Sequence, residues 1–231
     1  MGYNMLDQAI EHYRGALKIR RELVELDESF KPKLADALSN LANAYYGKGL
    51  LDQAIEHYKE ALKIRRELVE SDACFKPKLA NTLSNIGVVY RSKGLFDQAI
   101  EHYKEALKIR RELVESDACF KPKLADALNN LANAYYGKGL LDQAIEHYKE
   151  ALKIRRESAE TVESISLRFM TTLILLGIAL GTRGTEEDKV LSKKLQNEVK
   201  SMLEDSVVIR SPQYPEVVSL AKILDSLVGE N

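Results

Sequence analysis

The chain has 231 residues with 34 basic against 35 acidic side chains, a formal charge of −1 and a charged fraction of 30%. That balance leaves no basic excess to hold a phosphate backbone, which argues against nucleic acid as the main ligand. The most apolar stretch, 169–180, runs for only 12 residues and includes Thr171 and Thr172; a membrane helix needs about 20, so it reads as a buried helix rather than a span, and no membrane partner is expected.

In chain order, the dominant feature is the heptapeptide Asp-Gln-Ala-Ile-Glu-His-Tyr, which begins at Asp7, Asp52, Asp97 and Asp142, always 45 residues apart. A fixed period of this length marks a tandem array whose units contact mainly their neighbours. Residues 1–30 form a half repeat, a second helix only, with Gly2 aligned to Gly47. Its Leu6, Ile10 and Leu17 leave apolar surface uncovered, so the chain is expected to be a fragment of a longer protein or to be covered at that end by another chain. Residues 31–75 are the first full repeat. Leu34, Leu38, Leu41, Ala42 and Tyr45 share one helical face, Gly47 and Gly49 end that helix, and Asp52 serves as cap or first-turn acid for the next. The second helix carries Ala54, Ile55, Tyr58, Ala61, Leu62, Arg65, Leu68 and Val69. Pro77 suits the first turn of the following helix, and Phe75 plugs the junction. Residues 76–120 and 121–164 repeat this plan. Residues 165–210 form a diverged repeat in which Leu176 and Gly177 hold the large-small position, and 211–231 are expected to supply a capping helix, over 213–228.

The copies are unusually faithful. Residues 31–67 and 121–157 differ only at Ser39 versus Asn129, and 51–80 and 96–125 only at Leu51 versus Phe96. Cores tolerate far more variation than this, so recent duplication or deliberate construction is the expected cause.

The pattern Leu38, Leu41, Ala42, Tyr45, Ala54, Tyr58, Ala61 recurs as Leu83, Ile86, Gly87, Tyr90, Ala99, Tyr103, Ala106 and as Leu128, Leu131, Ala132, Tyr135, Ala144, Tyr148, Ala151. It resembles the tetratricopeptide repeat. The long period and the phrase Leu-Asn-Asn-Leu-Ala at 128–132 look like the kinesin light chain subtype. The usual repeat is about 34 residues, and its closing proline would fall at Arg66, so the second helix is expected to continue for two or three more turns. The resemblance implies an all-α right-handed α-solenoid of helix-turn-helix units whose first helices line a concave groove.

Candidate chemistry is sparse. His12, His57, His102 and His147 recur once per repeat, on the order of 18 Å apart, too far to share a metal ion, and read as surface or half-buried residues. The Lys-Ile-Arg-Arg run at 63–66 reads as a solvated face salt-paired along its own helix, Lys63 with Glu67 and Arg66 with Glu70. Neither a phosphate-binding GxxxxGK[ST] loop nor a nucleophile elbow occurs. No catalytic residue, metal or cofactor is expected. Cys74 and Cys119 occupy equivalent positions one repeat apart, beyond the reach of a disulfide, and read as free thiols of a reducing, cytoplasmic compartment.

The informative surface is the inner face of the first helices. It holds Asp36, Ser39, Asn40, Asn43 and Tyr46; then Asn81, Ser84, Asn85, Val88 and Arg91; then Asp126, Asn129, Asn130, Asn133 and Tyr136. Asparagine is a poor helix former, and its amide offers both donor and acceptor to an extended peptide backbone. Resemblance supports that use, since related groove asparagines in this family bind peptide backbone. The alternatives are solvated positions copied by duplication, or bonds to neighbouring helices. A carboxylate clamp is disfavoured, because Arg91 is the one cation among these positions. In the diverged repeat Thr171, Ile174, Leu175 and Ile178 replace the polar ladder with an apolar patch, either an anchor pocket or a surface covered by the final helix. The expected function is a protein-interaction scaffold binding an extended segment or helix of a partner. Self-assembly through the N-terminal helix and service as the sensor arm of a larger nucleotide-dependent protein are the rivals.

Overall fold

The computed structural model describes residues 2–158, 163–205, 219 and 221–226. The helices are α1 (Gly2–Leu26), α2 (Lys31–Gly47), α3 (Leu51–Ser71), α4 (Lys76–Ser92), α5 (Phe96–Ser116), α6 (Lys121–Gly137), α7 (Leu141–Ser158), α8 (Glu163–Arg183) and α9 (Glu186–Asp205). Residues 219 and 221–226 are also helical, and the remainder of the expected terminal helix lies outside the described residues. Among the described residues there is no strand. Helix pairs α2–α3, α4–α5, α6–α7 and α8–α9 pack as hairpins, and α1, α3 and α7 also pack against the first helix that follows each. The chain divides into two compact units, residues 1–117 and 118–231.

Two turns build each repeat. Inside the hairpin, Gly49 adopts φ 79° and donates its N–H to Tyr46 at 2.9 Å, while Leu50 donates to Tyr45 at 2.9 Å. This pair of bonds is a Schellman closure, and a side chain at the left-handed position would cost about 1 kcal/mol or more. Between repeats, Asp72 leaves the helix in an extended conformation (φ −150°, ψ 117°) and its carboxylate accepts from the Cys74 N–H at 2.8 Å. A 3-10 turn, Ala73–Phe75, follows and delivers Pro77 to the first turn of α4. That turn shortens the second helix relative to expectation. Helix α3 stops at Ser71, about one and a half turns past Arg66 rather than two or three, because Asp72 satisfies the next segment locally.

The core is a layer of small residues beneath tyrosines. Ala42, Ala54 and Ala61 are 0% exposed and Tyr58 is 1% exposed, so the backbones of α2 and α3 approach closely with a ring filling the gap. The Tyr58 hydroxyl donates to Asn43 Oδ1, and Tyr148 donates to Asn133 Oδ1 at 2.5 Å. In the middle repeat Val88 replaces that asparagine and Gly87 replaces the alanine. The Tyr103 ring takes the space: a methyl on Gly87 would lie 2.5 Å from Tyr103 Cε1.

Charged residues carry the contacts between helices. The Lys-Ile-Arg-Arg run is a solvated face only in part: Lys63 and Arg66 are exposed, but Arg66 pairs with Glu105 of another helix rather than along its own, and the arginine between them is buried. Arg65, Arg110 and Arg155 are buried at 6%, 4% and 6% exposure. Arg65 donates to Asp36 Oδ1 at 2.9 Å, to the Lys78 carbonyl at 3.1 Å and to Thr82 Oγ1; Arg110 donates to Asn81 Oδ1, and Arg155 to Asp126 Oδ1 at 2.8 Å. Burial pulls the Arg65 pKa below its ordinary value, with Asp36 opposing the shift. The adjacent arginines cross to the next second helix. Arg21 grips Glu60 at 3.0 and 2.8 Å, Arg66 grips Glu105 at 2.9 and 2.8 Å, and Arg156 grips Glu198 at 3.0 and 2.8 Å. Asp52 is a first-turn acid rather than a side-chain cap, and it pairs with Lys93 of the next repeat.

The second unit ends differently. Thr185 and Asp188 form a reciprocal cap on α9, with Asp188 N–H donating to Thr185 Oγ1 at 3.2 Å and Thr185 N–H to Asp188 Oδ2 at 3.3 Å. Arg183 holds the same carboxylate at 2.7 and 2.5 Å. Leu224, 0% exposed, packs on the bare backbone of Gly177, where a methyl would meet its Cδ1 at 2.8 Å. Gln196 donates to Asp225 at 2.7 Å beside it. The described part of the terminal segment thus lies against α8 and α9.

Two outcomes follow from these contacts. Gly87→Ala should lower stability by about 1–3 kcal/mol through overpacking against Tyr103, and adding Val88→Asn should recover part of the loss by giving the hydroxyl an acceptor. Urea denaturation of the single and double variants measures both, and an unchanged midpoint for Gly87→Ala contradicts this packing. The Arg183 guanidinium holds Asp188 down at about 2, against an ordinary 3.8. A carboxyl so depressed contributes stability above about pH 4 that is lost as pH falls through about 2. Asp188→Asn should therefore reduce the midpoint at pH 7 and flatten its dependence over pH 2–5, read by circular dichroism; a parallel shift at all pH values contradicts it.

Candidate functional site

The first helices present one polar face in each unit, and their neighbours divide its residues into bonded and open ones. In the first unit, on α2, Asp36 is half-buried and held by Arg65 and by Lys78 Nζ at 2.6 Å. Its carboxylate ties the helices together. Asn40 is exposed. Asn43 is exposed with its Oδ1 occupied by Tyr58, which leaves its NH2 as the free end of the amide. Tyr46 is half-buried, its hydroxyl 3.2 Å from Ser92 Oγ on α4. On α4, Asn81 accepts from the buried Arg110. Asn85 is half-buried with its amide against the Tyr58 hydroxyl, and Arg91 is half-buried. Burial pushes Tyr58 up to about 12, so it stays a protonated donor throughout the physiological range.

The second unit repeats the division. Asp126 is held by Arg155 at 2.8 Å and by Arg168. Asn129 is only 8% exposed and donates to Thr172 Oγ1 at 2.8 Å, so this asparagine bonds the neighbouring helix. Asn130 is half-buried, Asn133 is half-buried and held by Tyr148, and the Tyr136 hydroxyl lies 3.2 Å from Thr182 Oγ1. The register of Asn129 points between helices, as the burial of Ser39 at 7% and Ile174 at 0% shows. For that reason Ile174, together with Ile178 at 7%, is core rather than an open patch, and Leu175 alone of the three is half-exposed.

Sequence reasoning missed the tyrosine hydroxyls. It counted Tyr58 and Tyr148 as core rings, although a buried Tyr O–H requires an acceptor and the polar residues on the adjacent helix face were the available ones. His57, His102 and His147 pack on Tyr45, Tyr90 and Tyr135 of the first helices. His57 stacks on Tyr45 with centroids 5.4 Å apart and rings 8° from parallel, and burial lowers its pKa. Among the described residues no group of three or more His, Cys, Asp or Glu could hold a metal ion, and no helix is long and apolar enough to cross a membrane.

The known proteins that resemble this chain agree with its geometry. Among solved structures it is similar to BtubC (BKLC) from P. vanneervenii, at 21% identity and a TM-score of 0.72 over 97% of this chain and 85% of that one. It is similar to a Podosopora anserina protein described as a kinesin light chain with nearly identical TPR-like repeats, at 20% identity and a TM-score of 0.61 over 90% and 98% of the two chains. The apo form of RapI matches at 17% identity and a TM-score of 0.73 over 98% of this chain and 55% of that one, so this chain spans about half of RapI. Identities this low establish likeness of fold. No curated protein matches the chain. The family model for the tetratricopeptide repeat matches residues 5–67, 33–112 and 78–157. Repeats of this kind act as protein–protein interaction scaffolds and are generally not catalytic. The chain belongs to the tetratricopeptide repeat family.

Proposed function

We propose that the chain binds an extended segment or helix of another protein on the first-helix face, with carboxamides as the contacts to the partner's backbone. The carrying observation is the clamp of Tyr58 on Asn43. A buried donor fixes the amide oxygen, so the exposed amide nitrogen is preorganised toward a carbonyl acceptor and loses little freedom on binding. Asn40, Asn43 and Asn85 are the contacts in the first unit, and Asn130 and Asn133 those in the second. Asp36, Asn81, Asp126 and Asn129 support the face through their bonds to neighbouring helices, and Tyr46 and Tyr136 border it. Leu175 offers an apolar contact in the second unit.

A second reading is self-association through α1. Met5, Ile19 and Leu26 are 73%, 58% and 84% exposed, and Tyr13 is 37% exposed where its counterpart Tyr58 is 1%. A mass that rises with concentration in light scattering would support it.

Peptides selected from a displayed 12-residue library on the wild-type chain should bind Asn40→Ala/Asn43→Ala/Asn85→Ala at least about tenfold more weakly, the scale of one or two lost hydrogen bonds. Circular dichroism should show an unchanged helical content. Equal affinity for the folded variant contradicts the proposal.

A further inference from the structure

Helix α1 copies the second helix of the next repeat almost letter for letter. Residues 6–27 and 51–72 differ only at Arg14 for Lys59, Gly15 for Glu60 and Leu26 for Ser71. Arg14 serves the chain itself, since its Nε donates to the Tyr45 hydroxyl at 3.0 Å and its guanidinium lies over that ring. The other two changes answer to nothing inside the chain. Leu26 is 84% exposed. A methyl on Gly15 would meet nothing within 4 Å, so internal packing does not call for glycine, which is a poor residue for the interior of a 25-residue helix. At the equivalent positions Glu60 and Glu105 each receive an arginine from the preceding second helix, and α1 lacks that acceptor.

Both changes fall on the open side of α1. Met5, Ala9, His12, Ala16, Ile19, Leu23 and Leu26 follow one another in alternating steps of four and three residues, the spacing of a seam between two helices. Met5, His12, Ile19 and Leu26 are exposed, and Ala9, Ala16 and Leu23 are half-buried. Gln8 and Gly15 border the stripe and are exposed as well. No Asp, Glu, Lys or Arg stands among these residues. In α3 the same border carries Glu60 and the stripe ends in Ser71. Glycine for glutamate therefore clears the charge, and leucine for serine lengthens the apolar run.

We propose that this side of α1 is the interface for a second copy of the chain, with the two α1 helices antiparallel about a two-fold axis at Gly15. This interface rests on the self-association reading of α1 and gives it a face and an orientation. The stripe is self-complementary in size. Gly15 and Ala16 lie at its middle and Met5 and Leu26 at its ends, so an antiparallel copy brings the backbones close at the centre and sets Met5 against the Leu23–Leu26 end of the other copy. It is self-complementary in charge too. Glu11 and Lys18 sit about one turn before and one turn after Gly15. An antiparallel copy brings each toward its opposite, whereas a parallel copy sets glutamate against glutamate. A contact of this kind uses the same patch on both copies and closes at two.

The test is sedimentation equilibrium of the full chain from nanomolar to high micromolar concentration, where the mass should rise from one copy to two. Gly15→Glu and Leu26→Ser, each bringing in the residue of the sister helices, should each weaken the dimer at least about tenfold, through a charge at the seam or a lost buried leucine. Glutamate is a better helix former than glycine, so circular dichroism should show the helices intact. Orientation is read in a Cys74→Ser/Cys119→Ser background. A mixture of the Gln8→Cys and Glu22→Cys chains should form a disulfide-linked pair on oxidation, and neither chain should do so alone, because an antiparallel copy holds like positions about 21 Å apart along the axis. A mass of one copy at every concentration overturns the interface and the self-association reading together. A dimer that survives both replacements unchanged overturns the interface alone and leaves association to another surface. Cross-linking of either cysteine chain with itself, or none in the mixture, overturns the antiparallel order.

Discussion

Close approach of paired helices is the constraint from which the rest follows. Alanines at 42, 54 and 61, each 0% exposed, bring the two backbones of a hairpin together, and the tyrosine between them has nowhere to go but inward. Once Tyr58 is buried, its hydroxyl must find an acceptor, and the first helix supplies Asn43. Packing thereby fixes the orientation of a surface amide. The arrangement of the candidate face is in this sense a by-product of how the core is filled, and the middle repeat makes the point by exception. Its valine removes the acceptor and its glycine admits the ring.

Electrostatics connects the repeats. Arg65 is desolvated and bonded to Asp36, the Lys78 carbonyl and Thr82, so it ties a repeat to itself and to the next one at once. A buried charge of this kind is costly unless fully partnered, which commits Asp36 and Asp126 to bonds with the neighbouring helices. The outer grips, such as Arg66 on Glu105 at 2.8 Å, are half-exposed pairs worth about 0–1 kcal/mol each. They set register more than stability.

Much of the fold was legible in the residues because each copy states the same pattern. The 45-residue period, the apolar stripe and Gly49 located the hairpins. Physical ambiguity hid the rest. A Lys-Ile-Arg-Arg run reads as solvated until the partner of Arg65, 29 residues away on another helix, is in view. Asn129 and Asn130 are adjacent and chemically identical, yet one is buried against Thr172 and the other is only half-buried, since a step of one residue turns about 100° around a helix. The apolar residues Ile174 and Ile178 could be a pocket or a core on composition alone, and burial by their neighbours made them core. The second helix ends sooner than its sequence suggests because it is followed by a local turn, closed by the Asp72–Cys74 bond, that occupies the residues before Pro77.

The central claim is that tyrosine-held asparagines on the first-helix face grip a partner's backbone. A crystal structure of the chain with a selected peptide tests it most directly. The account predicts peptide carbonyl oxygens within about 3 Å of the Nδ2 atoms of Asn43 and Asn85, the usual N–H···O distance, with the Tyr58–Asn43 bond intact. A peptide seated instead on α1, or on the outer surface of the second helices, would contradict it.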